Sequence, residues 1–279
     1  MYEITVNRRN NPAYEAMFND LIQEVFGFTF APWFKLGLWD ERYESYSIIE
    51  NGVMLSNLCI FKTEMLIKGR KVQANQFGAV ATRKSVRGKG LARILMEHVL
   101  SLYPDTPAYL AANPSVIDFY PRFGFRQVKT YVPTILATIN NNPATAVKYS
   151  INDVANFPGR QYSNVVDCLN TQSINIFHLL MEYADDIYFL PEHDTIVIAK
   201  QEENELFIAD VIVQKPITFD EIKKALPFAG VDEVEFGFCP DWLGVSPEWE
   251  LADMNESPFF LRGEWNLPEN YRFPAMSET

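Results

Sequence analysis

Cysteine is scarce in this chain: Cys59, Cys168 and Cys239 are the three in 279 residues, odd in number, far apart and never spaced as C-x-x-C. That excludes a disulfide framework and a zinc ribbon, and the three read as buried reduced thiols of a cytoplasmic protein. Long apolar runs are missing too. No stretch approaches bilayer length, and the N-terminal MYEITVNRRNNPAYE lacks the apolar core of a signal peptide, so no membrane partner is expected. Basic residues are the minority, 24 Lys and Arg against 36 Asp and Glu, for a net charge of −12 and a pI near 4.8. Such a balance argues against a general nucleic-acid binder, whose phosphate contacts need a basic face. No G-x-S-x-G elbow and no H-E-x-x-H occurs, which leaves serine-hydrolase and zincin chemistry without an anchor. Hydrophobic residues make up 48%, enough to build the core of one large domain or two small ones.

Against this acidic background Val80 to Arg93, VATRKSVRGKGLAR, is a local basic island. It reads as an apolar strand end, a turn with Gly88 and Gly90, and an amphipathic helix whose stripe carries Leu91, Leu95, His98 and Leu102, with Ile94 and Val99 beside it. Glycines before a helix let successive N–H groups turn inward, and the positive end of the helix dipole then favours a phosphate or pyrophosphate. A surface strand-to-helix turn with basic residues accounts for the same letters. Rival phosphate motifs fail: Gly88-Lys89-Gly90 has neither the Ser/Thr nor the upstream Gly of a Walker loop, and position 93 is Arg where a dinucleotide fingerprint wants Gly or Ala. Further on, AYLAANPSVIDFYPRFGF ends a strand at Asn113 and brings Phe119-Tyr120 just ahead of Gly124-Phe125.

Together these two segments resemble the GNAT acetyltransferase superfamily. Arg87-Gly88-Lys89-Gly90-Leu91-Ala92 fits that family's Gln/Arg-x-x-Gly-x-Gly/Ala pyrophosphate loop. Asn113, Phe119-Tyr120 and Gly124-Phe125 fit its second signature, one helix and one strand later. The resemblance covers roughly the first half of the chain. It implies an α/β fold with a mixed sheet and the direct transfer of an acetyl group from acetyl-CoA to a primary amine of a small molecule or peptide, in a ternary complex. It also implies that Val80, Ala81 and Thr82 offer their backbone to the pantetheine arm and the thioester oxygen. Arg87, Gly88, Lys89, Gly90, Leu91 and Ala92 would hold the pyrophosphate, with Arg93 either reaching the same phosphates or facing solvent. Asn113 would orient the pantetheine or the substrate. Tyr120 would protonate the departing thiolate, a role a phenol with a pKa of about 10 can fill.

The order of elements agrees with that picture. The pattern predicts a helix over Pro12 to Phe26, a hairpin turning at Glu50-Asn51-Gly52, a second turn at Lys68-Gly69-Arg70, the helix 90–103 and the strand 108–112. A Pro/Asn-rich stretch, Ile139 to Pro143, suggests a boundary between an acetyltransferase domain at 1–138 and an accessory domain at 144–279. The second half predicts a helical region from Val165 to Tyr183, then a meander, a helix and a strand, repeating the first half. Its corresponding loop, Gln214 to Thr218, has no glycine, no arginine and a Pro216 that removes an N–H, so a GNAT-like duplicate without a cofactor site and an unrelated α+β domain both stay open.

No single general base stands out. Asp40, Glu41, Glu44 and Glu64 are candidates, as is the C-terminal carboxylate of Thr279; His98 reads as a core histidine. Trp33, Trp39, Tyr43 and Tyr46, interleaved with acids, could line a cation-binding cleft or simply pack. A CoA-binding sensor without catalysis and an acyltransferase for longer chains are the rival functions. The acceptor and the oligomeric state are open.

Overall fold

The computed structural model describes residues 2–6, 9–140, 144–155 and 160–278. Asn141 to Pro143 of the expected boundary and the Thr279 carboxylate lie outside them.

The first helix is Pro12–Phe26. Asn11 caps it, its Oδ1 accepting from Ala13 N at 3.1 Å and Tyr14 N at 3.2 Å, and Gly27 ends it in the left-handed region at φ 83°. Its buried face, Tyr14, Phe18, Leu21 and Ile22, packs on the strands Val53–Ile67 and Arg70–Thr82. Those strands come from a meander with Tyr43–Glu50, turned at Asn51-Gly52 and Lys68-Gly69, all four residues at positive φ. Such turns match the right-handed twist of an antiparallel pair. Next come the helix Leu91–Leu102 and the strand Ala108–Ala111, which lies parallel to Arg70–Thr82. The buried stripe of that helix is Leu91, Leu95, Met96 and Val99, whereas Leu102 is exposed and His98 half-buried against the Tyr46 ring. The sequence stripe was therefore set about one residue off the true face.

The first sheet runs Ile4–Val6, Tyr43–Glu50, Val53–Ile67, Arg70–Thr82, Ala108–Ala111, Phe259–Arg262, Arg126–Val128. The second runs Val147–Lys148, Ile187–Leu190, Thr195–Glu202, Glu205–Val213, Ala229–Phe236, Tyr131–Asn140, Glu248–Leu251. Strand for strand the two orders agree: an antiparallel meander, a helical crossover (Phe219–Ala225 in the second half) and a parallel strand. Even the bulge recurs. The register shifts opposite Ala79 and Val80 in the first sheet and opposite Ala209 in the second. The second half thus repeats the strand order of the first.

The two sheets exchange a strand. Tyr131–Asn140 follows the first sheet's last strand but pairs with Ala229–Phe236 and Glu248–Leu251 in the second. Phe259–Arg262, near the chain's end, inserts between Ala108–Ala111 and Arg126–Val128 in the first. Val166–Leu169 also returns to the first sheet, beside Val53–Ile67. The division expected between 138 and 144 therefore does not separate the halves: the chain leaves the first sheet near Lys129-Thr130, and each sheet is completed by the other half. Val165 to Tyr183 is likewise not all helical. β-branched and apolar residues of 166–169 form that strand, Asn170 at φ 59° breaks it, and the helix runs Gln172–Met181.

Where the halves meet, one buried cation holds both. Arg160 Nη2 lies 2.9 Å from Asp210 Oδ1 on the second sheet and 3.7 Å from Asp167 Oδ1 on the first.

Candidate functional site

The strands Arg70–Thr82 and Ala108–Ala111 pair only at Asn75↔Ala108 and Gln76↔Tyr109, then part company although both continue. The cause is visible at Ala79. Asn57 pairs with Ala81 and Cys59 with Gly78, so Ala79 and Val80 together face Leu58, and Ala79 adopts φ 47°. A β-bulge of this kind bends its strand and raises the local twist.

A buried polar network pins the bulge. Asn57 Nδ2 donates to Ala79 O at 3.1 Å, and Asn57 Oδ1 accepts from Ser45 Oγ at 2.7 Å and Ser47 Oγ at 2.8 Å. The Tyr14 hydroxyl bonds both serines at 2.6 Å. Because the peptide is planar and trans, fixing the Ala79 carbonyl towards Asn57 points the Val80 N–H away from it.

The parted strands open a cavity of about 510 Å³ that passes through the sheet. On the side of the helix Leu91–Leu102 it is lined by Val80, Thr82, Arg87, Ala92, Asn113 and Tyr120. On the other side Phe28, Phe30 and Tyr43 meet Ile174 and Phe177, which the second half supplies.

Of the twelve site residues expected from the sequence, six line this cavity: Val80, Thr82, Arg87, Ala92, Asn113 and Tyr120. Gly88 and Gly90 sit at φ 80° and 79°, and a Cβ at either would meet nothing within 4 Å, so conformation alone calls for glycine there. Gly90 is the N-cap of the helix and offers no side-chain cap, which leaves the first-turn amides of Leu91 and Ala92 open. In the second half the corresponding helix end is closed: the Thr218 hydroxyl accepts from Glu221 N, and Glu221 Oε2 accepts from Thr218 N at 2.8 Å.

The basic island is smaller than its letters suggest. Arg83 donates to Glu24 Oε2 at 2.7 Å and to Met54 O at 2.8 Å, and also pairs with Asp20, so it ties the first helix to the loop. Arg93 pairs with Glu97 at 2.7 Å on the exposed helix surface and does not line the cavity. Arg87 and Lys89 make no ion pair among the described residues; Arg87 Nε donates to Thr82 O at 3.2 Å, and its side chain borders the cavity. Ala81 is buried beneath the floor, its carbonyl accepting from Ser56 Oγ at 2.9 Å. Asn113 Oδ1 accepts from Ser115 N at 2.9 Å and Ser115 Oγ at 2.7 Å, capping the short turn Pro114–Val116. Tyr120 is buried against Phe119, Phe125 and Phe260, the last from the exchanged strand, and burial pushes its phenol up to about 12.

None of the four carboxylate candidates for a base lines the cavity. Asp40 binds Arg42, Glu41 lies 3.6 Å from Arg9 at the surface, and Glu64 accepts from Lys71 at 2.7 Å and Gln73 at 3.0 Å. Glu44 accepts from Tyr46, Tyr103 and Lys62 at 2.6 to 2.8 Å; these bonds outweigh its desolvation and hold it below the usual carboxylate range. The cation cleft fails too: Trp33, Trp39, Tyr43 and Tyr46 are buried in packed clusters, the indole N–H of Trp33 donating to Ser173 O at 2.7 Å. Sequence reading missed the Asn57 network, the apolar residues Phe26 to Phe30 as lining, and the helix Gln172–Met181 as a wall. The alternation in FGFTF shows the rings but nothing of what they face.

Residues 7–128 match the family model of the acetyltransferase (GNAT) domain. That part of the chain, residues 7–128, is a GNAT acetyltransferase domain. Among solved structures it is similar to a probable N-acyltransferase from Enterococcus faecalis, at 16% identity and TM-score 0.58 over 93% of this chain and 72% of that one. Eis1 from Mycobacterium abscessus is similar at 14% identity and TM-score 0.58, over 93% of this chain and 73% of that one. A putative acetyltransferase from Pyrococcus horikoshii is similar at 10% identity and TM-score 0.53 over 100% and 98%. No curated protein matches the chain significantly in sequence. Among the described residues no helix is long and apolar enough to cross a membrane.

Proposed function

We propose that the protein transfers an acetyl group from acetyl-CoA to a primary amine, directly and without an acyl-enzyme. One observation carries the reading: the slot between the parted strands, the uncapped helix end at Gly90 and the Tyr120 side chain all border the same cavity. The open amides of Leu91 and Ala92, with Arg87 beside them, suit a pyrophosphate, and Lys89 adds charge at the surface. The freed edges of residues 77–82 and 110–111 suit the amides of a pantetheine arm. The amine nitrogen attacks the thioester carbon, the carbonyl oxygen takes up negative charge, and the Val80 N–H is the donor placed to meet it. The C–S bond then breaks, the proton shed by the attacking nitrogen passes to sulfur, and Tyr120 donates a hydrogen bond to the thiolate as it forms.

No carboxylate or imidazole is needed inside. An ammonium entering this apolar cavity loses its hydration, which lowers its pKa and favours the neutral nucleophile. The rate is therefore expected to rise with pH up to the pKa of whichever amine is used. A fixed inflection near 4–5 or 6.5, the same for every amine, would mark a carboxylate or histidine base and overturn this step. The buried, free Cys59, Cys168 and Cys239 fit a cytoplasmic site of action. The cavity's lack of a carboxylate favours one rival, a module that binds CoA without turnover. Thiol release from acetyl-CoA across a panel of amines, with calorimetry of CoA binding, separates the two: binding without release with any amine leaves only the sensor.

A further inference from the structure

The far arm of the cavity, away from the phosphate loop, has a composition of its own. Phe26, Phe28, Phe30, Ile174 and Phe177 form its walls, and Phe30 stacks on Phe177 at 4.6 Å between ring centroids. Among the residues lining the whole cavity there is no Asp, Glu, His or Lys; Arg87, the single charged one, stands at the opposite, phosphate-loop end. One polar atom is left on this side. The Tyr43 hydroxyl is fully buried, neighbours the Cys59 thiol and makes no well-formed hydrogen bond among the described residues. The Cys59 thiol is a weak partner, and native proteins rarely leave a buried phenol oxygen so poorly satisfied.

These features select a chemistry. A polyamine, an aminoglycoside or a lysine-rich peptide carries further cations that would enter a site with no anion to meet them, and burying an unpaired charge is prohibitive. An aromatic or branched aliphatic group, by contrast, gains from every ring in the wall. Resting on the acetyl-transfer reading above, we infer that the acceptor is a monoamine with a bulky apolar group, of the arylalkylamine type. Its ring packs against the wall that Phe28, Phe30 and Phe177 present to the cavity, and its amine N–H donates to the Tyr43 oxygen. Tyr43 is a positioning residue: its phenol stays neutral, held well above its ordinary pKa by burial, and takes no proton. The arm draws its selectivity from both halves, since Ile174 and Phe177 belong to the second.

The test is a kinetic comparison on the full chain with acetyl-CoA, using phenethylamine, butylamine, spermidine and an aminoglycoside, followed by acetyl-CoA against octanoyl-CoA. Phenethylamine is expected to exceed butylamine in kcat/KM by about tenfold or more, the range that added apolar contacts give, and the polycations are expected to be poor substrates. Tyr43→Phe should raise KM for phenethylamine by about tenfold with acetyl-CoA affinity and kcat held, as loss of one positioning hydrogen bond implies. Phe177→Glu, at a half-buried wall position, should lower phenethylamine turnover and raise that of a linear diamine. Preference for the polycations in the unaltered protein overturns the inference and leaves acetyl transfer standing. So does octanoyl-CoA displacing acetyl-CoA as the better donor, because the arm would then be an acyl pocket. Acetyl-CoA binding with no turnover of any amine overturns both readings together.

Discussion

Replacing Tyr120 by Phe removes one oxygen from a ring that is otherwise fixed by packing. Phe119, Phe125 and Phe260 hold it at centroid distances of 5.3, 6.2 and 5.6 Å, and all three contacts survive the change. Burial is the only influence that moves its phenol, to about 12. A CoA thiol resembles cysteine, with a pKa of about 8.5, so complete proton transfer from the phenol would run uphill by roughly 3.5 units, about 5 kcal/mol. On the proposed reading the hydroxyl therefore serves as a hydrogen-bond donor to developing thiolate, and the proton that finally rests on sulfur comes from the amine. A hydrogen bond to a charged group is worth about 1.5–3 kcal/mol, which predicts a fall in kcat of about 10- to 150-fold. Acetyl-CoA affinity should hold, because neutral thioester sulfur is a poor acceptor, and the melting temperature should stay close to that of the parent. Stopped-assay thiol release and calorimetry on the same preparation read both quantities. A kcat within about twofold of the parent would refute the role. Affinity falling in step with kcat would also refute it, by making Tyr120 a binding residue.

Asn57→Ala should cost about 2–3 kcal/mol of stability, since it leaves the Ala79 carbonyl without this partner and Ser45 and Ser47 with only the Tyr14 hydroxyl in a buried network. It should lower kcat more than it weakens CoA binding, because it frees the bulge and not the phosphate loop; equal losses in both would contradict that. Ending the chain at residue 252 removes Phe259–Arg262 and leaves Ala108–Ala111 and Arg126–Val128 without their shared neighbour. The shortened protein should fail to unfold cooperatively by calorimetry, and a normal transition with CoA binding intact would show that the exchanged strand is dispensable. Asp167, raised to about 6 by burial against about 3.9 when unfolded, keeps a proton in the fold that the unfolded chain has lost. Its contribution to stability therefore falls as pH rises from about 4 to 6. Asp167→Asn should remove that part of the slope in thermal melts, and an unchanged slope would point to another group.

The legible parts of this molecule are those in which a local rule fixes a local shape. Asn51-Gly52 and Lys68-Gly69 announce two turns, and Gly88 and Gly90 announce a left-handed approach to a helix start; each needs nothing from elsewhere in the chain. Tyr120 and Arg87 reach the cavity because their motif travels as a unit from loop to helix to strand. Three features resisted. The strand exchange is a choice between two nearly equivalent sheets, and Phe259–Arg262 carries no mark saying which one it joins. The bulge at Ala79 arises because Asn57, on a neighbouring strand, captures a carbonyl, an event no periodicity records. The aromatic stretch from Trp33 to Tyr46 looked like a cleft because ring composition does not distinguish a wall from a core; here Trp33, Trp39, Tyr43 and Tyr46 are all buried core, and Tyr43 alone of the four also lines the cavity.

The two halves differ at the crossover where the proposed cofactor would bind, though their strands follow the same order. At the first crossover, Gly88 and Gly90 leave the helix amides facing outward with Arg87 alongside. At the second, Thr218 and Glu221 satisfy the corresponding amides, Asp220 adds negative charge to the first turn, and a diphosphate would have to displace a carboxylate already seated there. In the second sheet the parallel pair remains in register for four residues, and at its end a Cβ on Gly237 would lie 2.9 Å from the Phe207 ring and 3.0 Å from Ala209 O. No slot opens where the backbone is packed that closely. The second half is nonetheless bound to the first by three pieces of its own: the strand carrying Phe260 against Tyr120, the helix carrying Ile174 and Phe177 into the cavity, and Asp210, which shares Arg160 with Asp167. On the proposed function, the second half would through these residues help decide what the first half's cavity accepts.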